Sequence, residues 1–446
     1  MTRSGHTVRP RLIVMTRNPA LGRVKSRIAK ELGDATALAV HRELAEHVIR
    51  RARAIEIAGA VDLEIRLADG AAAAGRRWLG RGFRVRAQGE GTLGDRLAEA
   101  VRTAISEGAP AAIAIGSDCP DVGGTIVHAA IAELVRTPLV LGPAEDGGYY
   151  LVGVRADVAD SVTPALFGDI PWGTSQVLAV TLARLSALGM TPALLPTLAD
   201  VDRPEDARLW EARRLEERTS RPRTSVVIPS LDEEGVIARA VRSARASGAH
   251  EVIVADGGSA DATVARAEDA GAMVVRAPRG RAKQMNAGAA LASGDVLLFL
   301  HADTMLPADA CALIADALGD PRAVGGAFGY SAGSASDRLD RLISAIGQLR
   351  YTVFRLPYGD QAIFVRRTVF EDLGGLPELP VMEDYEFALR LKQLGGLVRT
   401  PGAIRTSTRA WRERGLLAVT ARDMATIAGY RLGIDPARLA RWRSAI

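Results

Sequence analysis

The stretch Val296–Pro307, VLLFLHADTMLP, decides the fold. Five consecutive apolar residues run into His301-Ala302-Asp303, and Pro307 follows soon after. An apolar run that short, closed by polar residues, suits a strand buried on both faces of a parallel sheet. An earlier stretch repeats the device: Ala111–Pro120, AAIAIGSDCP, is a buried strand followed by Asp118 and Pro120. In open α/β sheets, ligands lie beyond the carboxyl ends of the strands. Asp118 and Asp303 therefore stand where a cation and a diphosphate could meet. An Asp in this place also serves as a helix cap, and either residue alone does not separate the two roles.

Working outward, apolar runs of strand length alternate with amphipathic stretches of helix length, the pattern of βαβ units. The first half reads as strands at Leu12–Met15, Leu63–Leu67, Ala111–Ile115, Leu139–Leu141 and Leu151–Val154. The second reads as strands at Ser225–Ile228, Glu251–Ala255, Met273–Arg276 and Val296–Leu300. Between them DRPEDARLWEARRLEER predicts a charged helix, and TSRPRT predicts a linker. The expected organisation is a domain over 1–218, a linker over 219–223 and a domain over 224–446. Each domain is expected to carry a mostly parallel central sheet flanked by helices, the α/β class.

The 446 residues include 48% hydrophobic and 24% charged, enough apolar material for two cores, which excludes a disordered chain. No apolar run reaches the roughly 18–20 residues of a membrane span, and the first residues lack a signal-peptide core. Two cysteines, Cys119 and Cys311, form no disulfide framework or ligand cluster. A cytoplasmic protein is the expectation. The formal net charge of +5 is spread over arginines, with only 4% aromatic residues, a poor fit to a nucleic-acid groove. Only four lysines occur, and two of them, Lys25 and Lys283, fall in Gly/Arg-rich segments.

In the second half four segments follow in order: SVVIPSLDEEG (Ser225–Gly235), EVIVADGGSADAT (Glu251–Thr263), RGRAKQMNAGAALASGDVLLFLHAD (Arg279–Asp303) and VMEDYEFALRLKQLG (Val381–Gly395). This order resembles the family 2 glycosyltransferases of the GT-A fold. It is most similar to a bacterial subgroup, found beside arsenosugar-biosynthesis genes, that carries GRAxQMNxGA, LFLHADT and a late SxRxW element. The resemblance implies a nucleotide-sugar donor whose diphosphate leaves against Mg²⁺ or Mn²⁺. Asp303 stands at the family's D-x-D metal motif, with His301 replacing the first Asp as a supporting ligand. Asp256 matches the residue that contacts the nucleobase or ribose, and Gly257 lets the ligand approach. Asp232 and Glu233 stand at the family's Asn-Glu turn, with Asp in place of Asn. Arg281 and Lys283 resemble the basic pair on the nucleotide phosphates, with Asn286 beside them, and Arg409 and Trp411 the element that closes over the diphosphate. Asp384 occupies the position of the base that deprotonates the acceptor in an inverting transfer, preceded by Gly359-Asp360-Gln361 and Phe364. Helix capping is the alternative reading of Glu383 and Asp384.

In the first half, Gly22, Arg23, Lys25 and Arg27 lie between a strand and a helix, an anion-binding arrangement. They are joined by Gly116-Ser117-Asp118, by the segment from Pro143 to Tyr150, by PWGTS (Pro171–Ser175) and by DVDRPED (Asp200–Asp206). This set resembles the DUF2064-type family, labelled glycosyltransferase-like and related to nucleotidyltransferases. The resemblance implies Asp118 and Asp202 on a divalent ion, Lys25 and Arg27 on a triphosphate, and Asp146 with Gly147 near the base or acceptor. The two halves together then read as two tandem GT-A-like domains: a metal-dependent inverting glycosyltransferase fused to a domain that makes or handles the activated intermediate from an NTP. A nucleotidyltransferase as the main activity and a non-catalytic nucleotide-binding regulator are the competing readings. The acceptor, a small molecule or a lipid-linked one, is open. The tail Leu416–Leu432 is read as packing on its own domain, with peripheral membrane contact as the other reading.

Overall fold

The computed structural model describes residues 8–445 apart from 69–71, 321, 408–411, 413, 414 and most of 333–358. The chain forms two compact units, Met1–Glu217 and Arg218–Ile446. Each is built on one sheet.

The first sheet has seven strands: β1 (Arg11–Arg17), β2 (Asp62–Ala68), β3 (Val85–Ala87), β4 (Ala111–Gly116), β5 (Leu139–Pro143), β6 (Tyr149–Arg155) and β7 (Ala193–Leu194). Their order is β3-β2-β1-β4-β6-β5-β7, and β6 alone runs against its neighbours. Side chains alternate between two buried faces, as a parallel sheet with helices on both sides requires. Leu12, Val14, Ile113 and Ile115 enter one core, while Ile13, Met15, Ala112 and Ala114 enter the other. The charged helix forms as Pro204–Thr219, and its Trp210 packs with Val40 and Leu44 of the helix Asp34–Ile57.

The second sheet contains β8 (Thr224–Ser230), β9 (Glu251–Asp256), β10 (Met273–Arg276), β11 (Val296–Phe299), β12 (Thr304–Met305), β13 (Ala323–Ala332), β14 (Phe364–Arg366) and β15 (Gly396–Thr406). Its order is β10-β9-β8-β11-β14-β13-β15-β12. The first four are mutually parallel, and β14 and β12 run antiparallel to their neighbours. Val226, Ile228, Val254, Leu298 and Leu300 fill its core. Both units are thus of the expected class, α/β with mostly parallel, helix-flanked sheets.

Several strands escape a reading by apolar runs. β13, AVGGAFGYSA, carries three glycines because its neighbours leave no room for side chains. A Cβ on Gly326 would lie 2.0 Å from the Val398 carbonyl oxygen, and one on Gly325 would lie 2.5 Å from that of Phe364. β15 contains Pro401 at the point where its pairing with β13 shifts register, the kind of irregularity that tolerates proline in a strand.

Candidate functional site

In the second unit β8, β9 and β11 end side by side, with Ser230 paired to Asp256 and Phe299 to Val227. The turns beyond them are stitched together before any ligand arrives. The buried Asp256 carboxylate accepts hydrogen bonds from the Gly258 N–H at 2.9 Å, the Ser259 N–H at 3.1 Å and the Ser259 hydroxyl at 2.5 Å. Asp232 Oδ1 accepts from the Ala260 N–H at 2.8 Å, and the Asp232 N–H donates to Ser259 Oγ at 2.9 Å. The Glu233 N–H donates to Thr263 Oγ1 at 2.7 Å. These acidic residues therefore shape the floor first.

Gln284 clamps the helix Arg281–Leu291 to that floor, donating to the carbonyls of Ser230 at 2.7 Å and Ala255 at 3.0 Å. A Cβ on Gly257 would meet the same Gln284 amide at 3.0 Å, so close packing as well as ligand approach accounts for this glycine. The clamp carries Arg281 and Lys283 to the carboxyl edge, where Lys283 is exposed. Asn286 is turned elsewhere: its amide donates to the Leu376 carbonyl and accepts from the Leu376 N–H, at 2.9 and 2.8 Å.

The remaining charged side chains converge on His301. The β11–β14 register, Leu298 opposite Phe364, carries the residues after β11 past Gly359–Gln361. Arg281, Asp303, Asp360 and Asp384 all act electrostatically on the His301 ring. Burial, and then the Arg281 charge, hold its imidazole below the ordinary range, while the three carboxylates oppose them. Arg281 Nε lies 2.7 Å from Glu383 Oε1, and that carboxylate is only 2% exposed. Burial pushes Glu383 upward, with Arg281 opposing and Asp384 adding to the rise. Asp384 is half-buried at the start of the helix Glu383–Leu394, and its Oδ1 accepts from the Tyr385 N–H at 2.8 Å. Arg409 and Trp411 lie outside the described residues.

His301 and Asp303 offer a nitrogen and a carboxylate: the carboxylate suits Mn²⁺ or Mg²⁺ when phosphate oxygens complete the shell, and an imidazole nitrogen would favour Mn²⁺. Among the described residues, no group of three or more His, Cys, Asp or Glu could hold an ion without such help. Backbone strain also gathers here. Non-glycine residues with positive φ include Asp232 at 53°, Ala362 at 50° and Met382 at 70°. Asp232 belongs to this site, Met382 precedes Glu383 and Ala362 lies two residues after Asp360, the placement in which strain accompanies function.

The first unit brings together Lys25, Arg27, Asp118 and Asp202, but in pairs. Lys25 Nζ lies 2.6 Å from Asp118 Oδ1 and 4.0 Å from Asp202 Oδ1, and donates to the Val201 carbonyl at 2.6 Å. Its side chain is 3% exposed, and its backbone is left-handed at φ 46°. Arg27 lies 2.5 Å from Asp202 Oδ2. The two carboxylates thus meet around one ammonium, which is within hydrogen-bond distance of Asp118 and the Val201 carbonyl and faces Asp202 at ion-pair range. Lys25 is a latch between the loops after β1 and β4 and the segment at 201–202. Gly22 and Arg23 are exposed in the preceding turn. Asp146 accepts from the Gly148 N–H at 2.8 Å, and Gly147 is left-handed at φ 89°.

Four groups enter the sites without a role assigned from sequence, although Asp200, Asp360 and Glu383 lie within the motifs quoted above. Burial raises the Asp200 carboxyl, and Asp146 and Asp202 add to the rise, which places it in the first cluster. His41 bonds the Arg17 carbonyl at 3.1 Å and feels Asp118 and Lys25, and burial lowers its pKa. Asp360 and Glu383 belong to the second cluster. Asp200-x-Asp202 and Glu383-Asp384 are acidic pairs that could have signalled two of these, whereas a lone helical His41 gives no signal.

Residues 225–374 match the model described as glycosyl transferase family 2. Residues 51–174 match a model described as an uncharacterized protein conserved in bacteria, DUF2064. An uncharacterized glycosyltransferase of Mycobacterium tuberculosis strain H37Rv is 33% identical over 201 residues, covering 42% of this chain and 74% of that one. Among solved structures, a protein of Desulfovibrio desulfuricans G20 described as a nucleotide-diphospho-sugar transferase is 29% identical, with a TM-score of 0.42, covering 47% of this chain and 89% of that one. Glucosyl-3-phosphoglycerate synthase of Mycobacterium tuberculosis, solved with Mn²⁺, uridine diphosphate and glucosyl-3-phosphoglycerate, is 21% identical, with a TM-score of 0.34, covering 49% of this chain and 83% of that one.

Proposed function

This chain belongs to glycosyl transferase family 2, and from that premise we propose that its second unit is a metal-dependent, inverting glycosyltransferase acting on a nucleotide sugar. The observation that carries the reading is that His301 and Asp303 follow directly on β11, beside the ends of β8 and β9, while Arg281 is held 2.7 Å from Glu383, the neighbour of Asp384. Asp303, with His301, would hold Mn²⁺ or Mg²⁺, which supplies charge neutralisation of the leaving diphosphate. Arg281, exposed on one side and tied to Glu383 on the other, presents its remaining N–H groups to phosphate oxygens. Lys283 adds a second positive charge at that edge. Asp384 takes the acceptor hydroxyl proton as the new glycosidic bond forms on the face opposite the departing nucleotide. Asp256, Asp232, Glu233 and Gly257 form the floor for the nucleoside. The motifs GRAKQMNAGA and LFLHADT support placement in the arsenosugar-linked subgroup.

For the first unit we propose a nucleotidyltransferase-like role that makes or handles the activated intermediate from an NTP. Its phosphates would exchange with Asp118 and Asp202 as partners of Lys25 and Arg27, releasing those carboxylates toward a divalent ion. Joining donor synthesis to donor use raises the local concentration of the intermediate. The test is to incubate the full chain with nucleotide sugars and Mn²⁺ and follow nucleoside diphosphate release. Release that needs Asp303 supports the transferase. Pyrophosphate release from NTP that needs Asp118 and Asp202, without any sugar transfer, would make the first unit the enzyme instead.

A further inference from the structure

The helix Leu416–Arg431 buries Val419 and Ile427 on one side and leaves a second apolar side outward. Its covered side packs on the helix that begins with Glu383 and Asp384. Ile427 joins Met382, Tyr385 and Leu356 in a buried cluster, with Tyr430 against it. The Tyr430 hydroxyl donates to Glu386 Oε2 at 2.8 Å, and Arg431 Nε donates to the Tyr385 hydroxyl at 2.6 Å. The following helix, Pro436–Ala445, covers another flank: Leu439 is buried against Gly429, and Arg443 pairs with Asp423 at 3.2 Å. Arg422 and Asp423, the two charges within the apolar stretch, therefore sit on the covered side, their side chains 13% and 27% exposed.

The exposed positions from Leu417 to Ala428 are Leu417, Ala418, Ala421, Met424, Ala425 and Ala428. A surface helix ordinarily turns charged or polar residues outward. Here that face carries none, with Leu417 83% exposed and Met424 41%. The apolar surface continues through Leu432 at 82%, Ile434 at 43% and Trp442 at 39%. Arg431, Arg438 and Arg441 are exposed beside it. From Gly415 to Ile446 the sequence carries five arginines against two aspartates.

We propose that this face docks on an anionic phospholipid surface. An apolar helical face with basic residues around it, including a tryptophan, matches the boundary between acyl chains and negative headgroups. A second copy of the same face would instead bring two arginine rims together, and like charge opposes that. The docked orientation sets the helix carrying Asp384 one helical layer from the lipid. It does not depend on the sugar-transfer reading.

The experiment is co-sedimentation of the full chain with vesicles of phosphatidylglycerol and phosphatidylcholine in equal parts, against phosphatidylcholine alone, at low salt. Binding to the mixed vesicles is expected to exceed binding to the neutral ones by about tenfold or more. Met424→Asp should weaken it about tenfold, and Arg438→Glu with Arg441→Glu about fivefold per charge or more. Ala421→Asp, also on the exposed face, repeats the test should Met424→Asp lose its native thermal transition. Equal or absent binding to both vesicle types would overturn the proposal. So would a concentration-dependent dimer in sedimentation velocity that Met424→Asp dissolves, which would assign the face to a second copy. Nucleoside diphosphate binding by the same samples reports on the transferase site separately.

Discussion

Asp384 and Glu383 are neighbours in sequence with different work to do. Glu383 is 2% exposed and held against Arg281, whereas Asp384 is half-buried and its Oδ1 accepts from the Tyr385 N–H at the helix start. Asp384→Asn is therefore expected to lower turnover by about 10²–10⁴-fold, the range for a lost general base, while nucleotide binding measured by calorimetry stays within a few-fold. Glu383→Gln should instead raise the KM for the donor more than it lowers kcat, because Arg281 loses its anchor. Equal kcat losses in both variants would contradict the division of roles. Asp232 illustrates a residue whose departure from the family's Asn is tolerated. Its left-handed backbone and its Oδ1 acceptor for the Ala260 N–H both suit Asn equally. Asp232→Asn should shift stability by less than about 0.5 kcal/mol, and Asp232→Ala should cost about 1–2 kcal/mol in chemical denaturation.

At the scale of elements, glycine placement decides several close approaches. Gly147 is left-handed, and a Cβ there would fall 2.2 Å from the Ser175 carbonyl oxygen. Gly147→Ala should destabilise the first unit by about 2–4 kcal/mol, read from its denaturation midpoint. A shift under half a kcal/mol would mean that the segment around Ser175 moves freely. The buried strands β1, β2, β4 to β6, β8, β9 and β11 were legible because each is a compact apolar run with polar ends, and of the edge strands only β10 was, through its apolar Met273–Val275. The other edge strands and the Gly-rich one were not. β13 owes its glycines to backbone crowding at Val398 and Phe364, β15 contains a proline at a register shift, and β7 and β12 are two residues long. The residues around His301 were legible as motifs, but their partners came from register and packing. Nothing local tells that Arg281 reaches Glu383, or that Asn286 turns to Leu376. Likewise, the helix Leu416–Arg431 reads as an ordinary apolar tail until its covered side is seen to hold Arg422 and Asp423.

The whole molecule should lose stability as pH falls, through His47. Burial first, then the charges of Arg51, Arg214 and Arg50, lower its pKa to about 3. Its ring stacks edge-on to Trp210 at 5.3 Å, tying the helix Asp34–Ile57 to the charged helix Pro204–Thr219. Between its unfolded value near 6.5 and its folded value, the unfolded chain binds a proton that the folded chain refuses. Stability is thus fully present above the unfolded value and declines as pH drops through it. From pH 7 to pH 5 the expected loss is about 1–2 kcal/mol, and His47→Gln should flatten that part of the profile. A profile identical in both proteins would place the acid sensitivity elsewhere.

At the centre of the proposed transferase site, Asp303 with His301 is expected to hold one diphosphate-bound cation in the second unit. Calorimetric titration of the full chain with UDP, GDP, ADP, CDP and dTDP in turn, with and without Mn²⁺, tests this most directly. One nucleotide should bind at least about tenfold tighter with the ion, and Asp303→Ala should abolish that gain while leaving metal-free binding intact. Equal affinity with and without Mn²⁺ for every nucleotide, or a full metal effect surviving in Asp303→Ala, would contradict it.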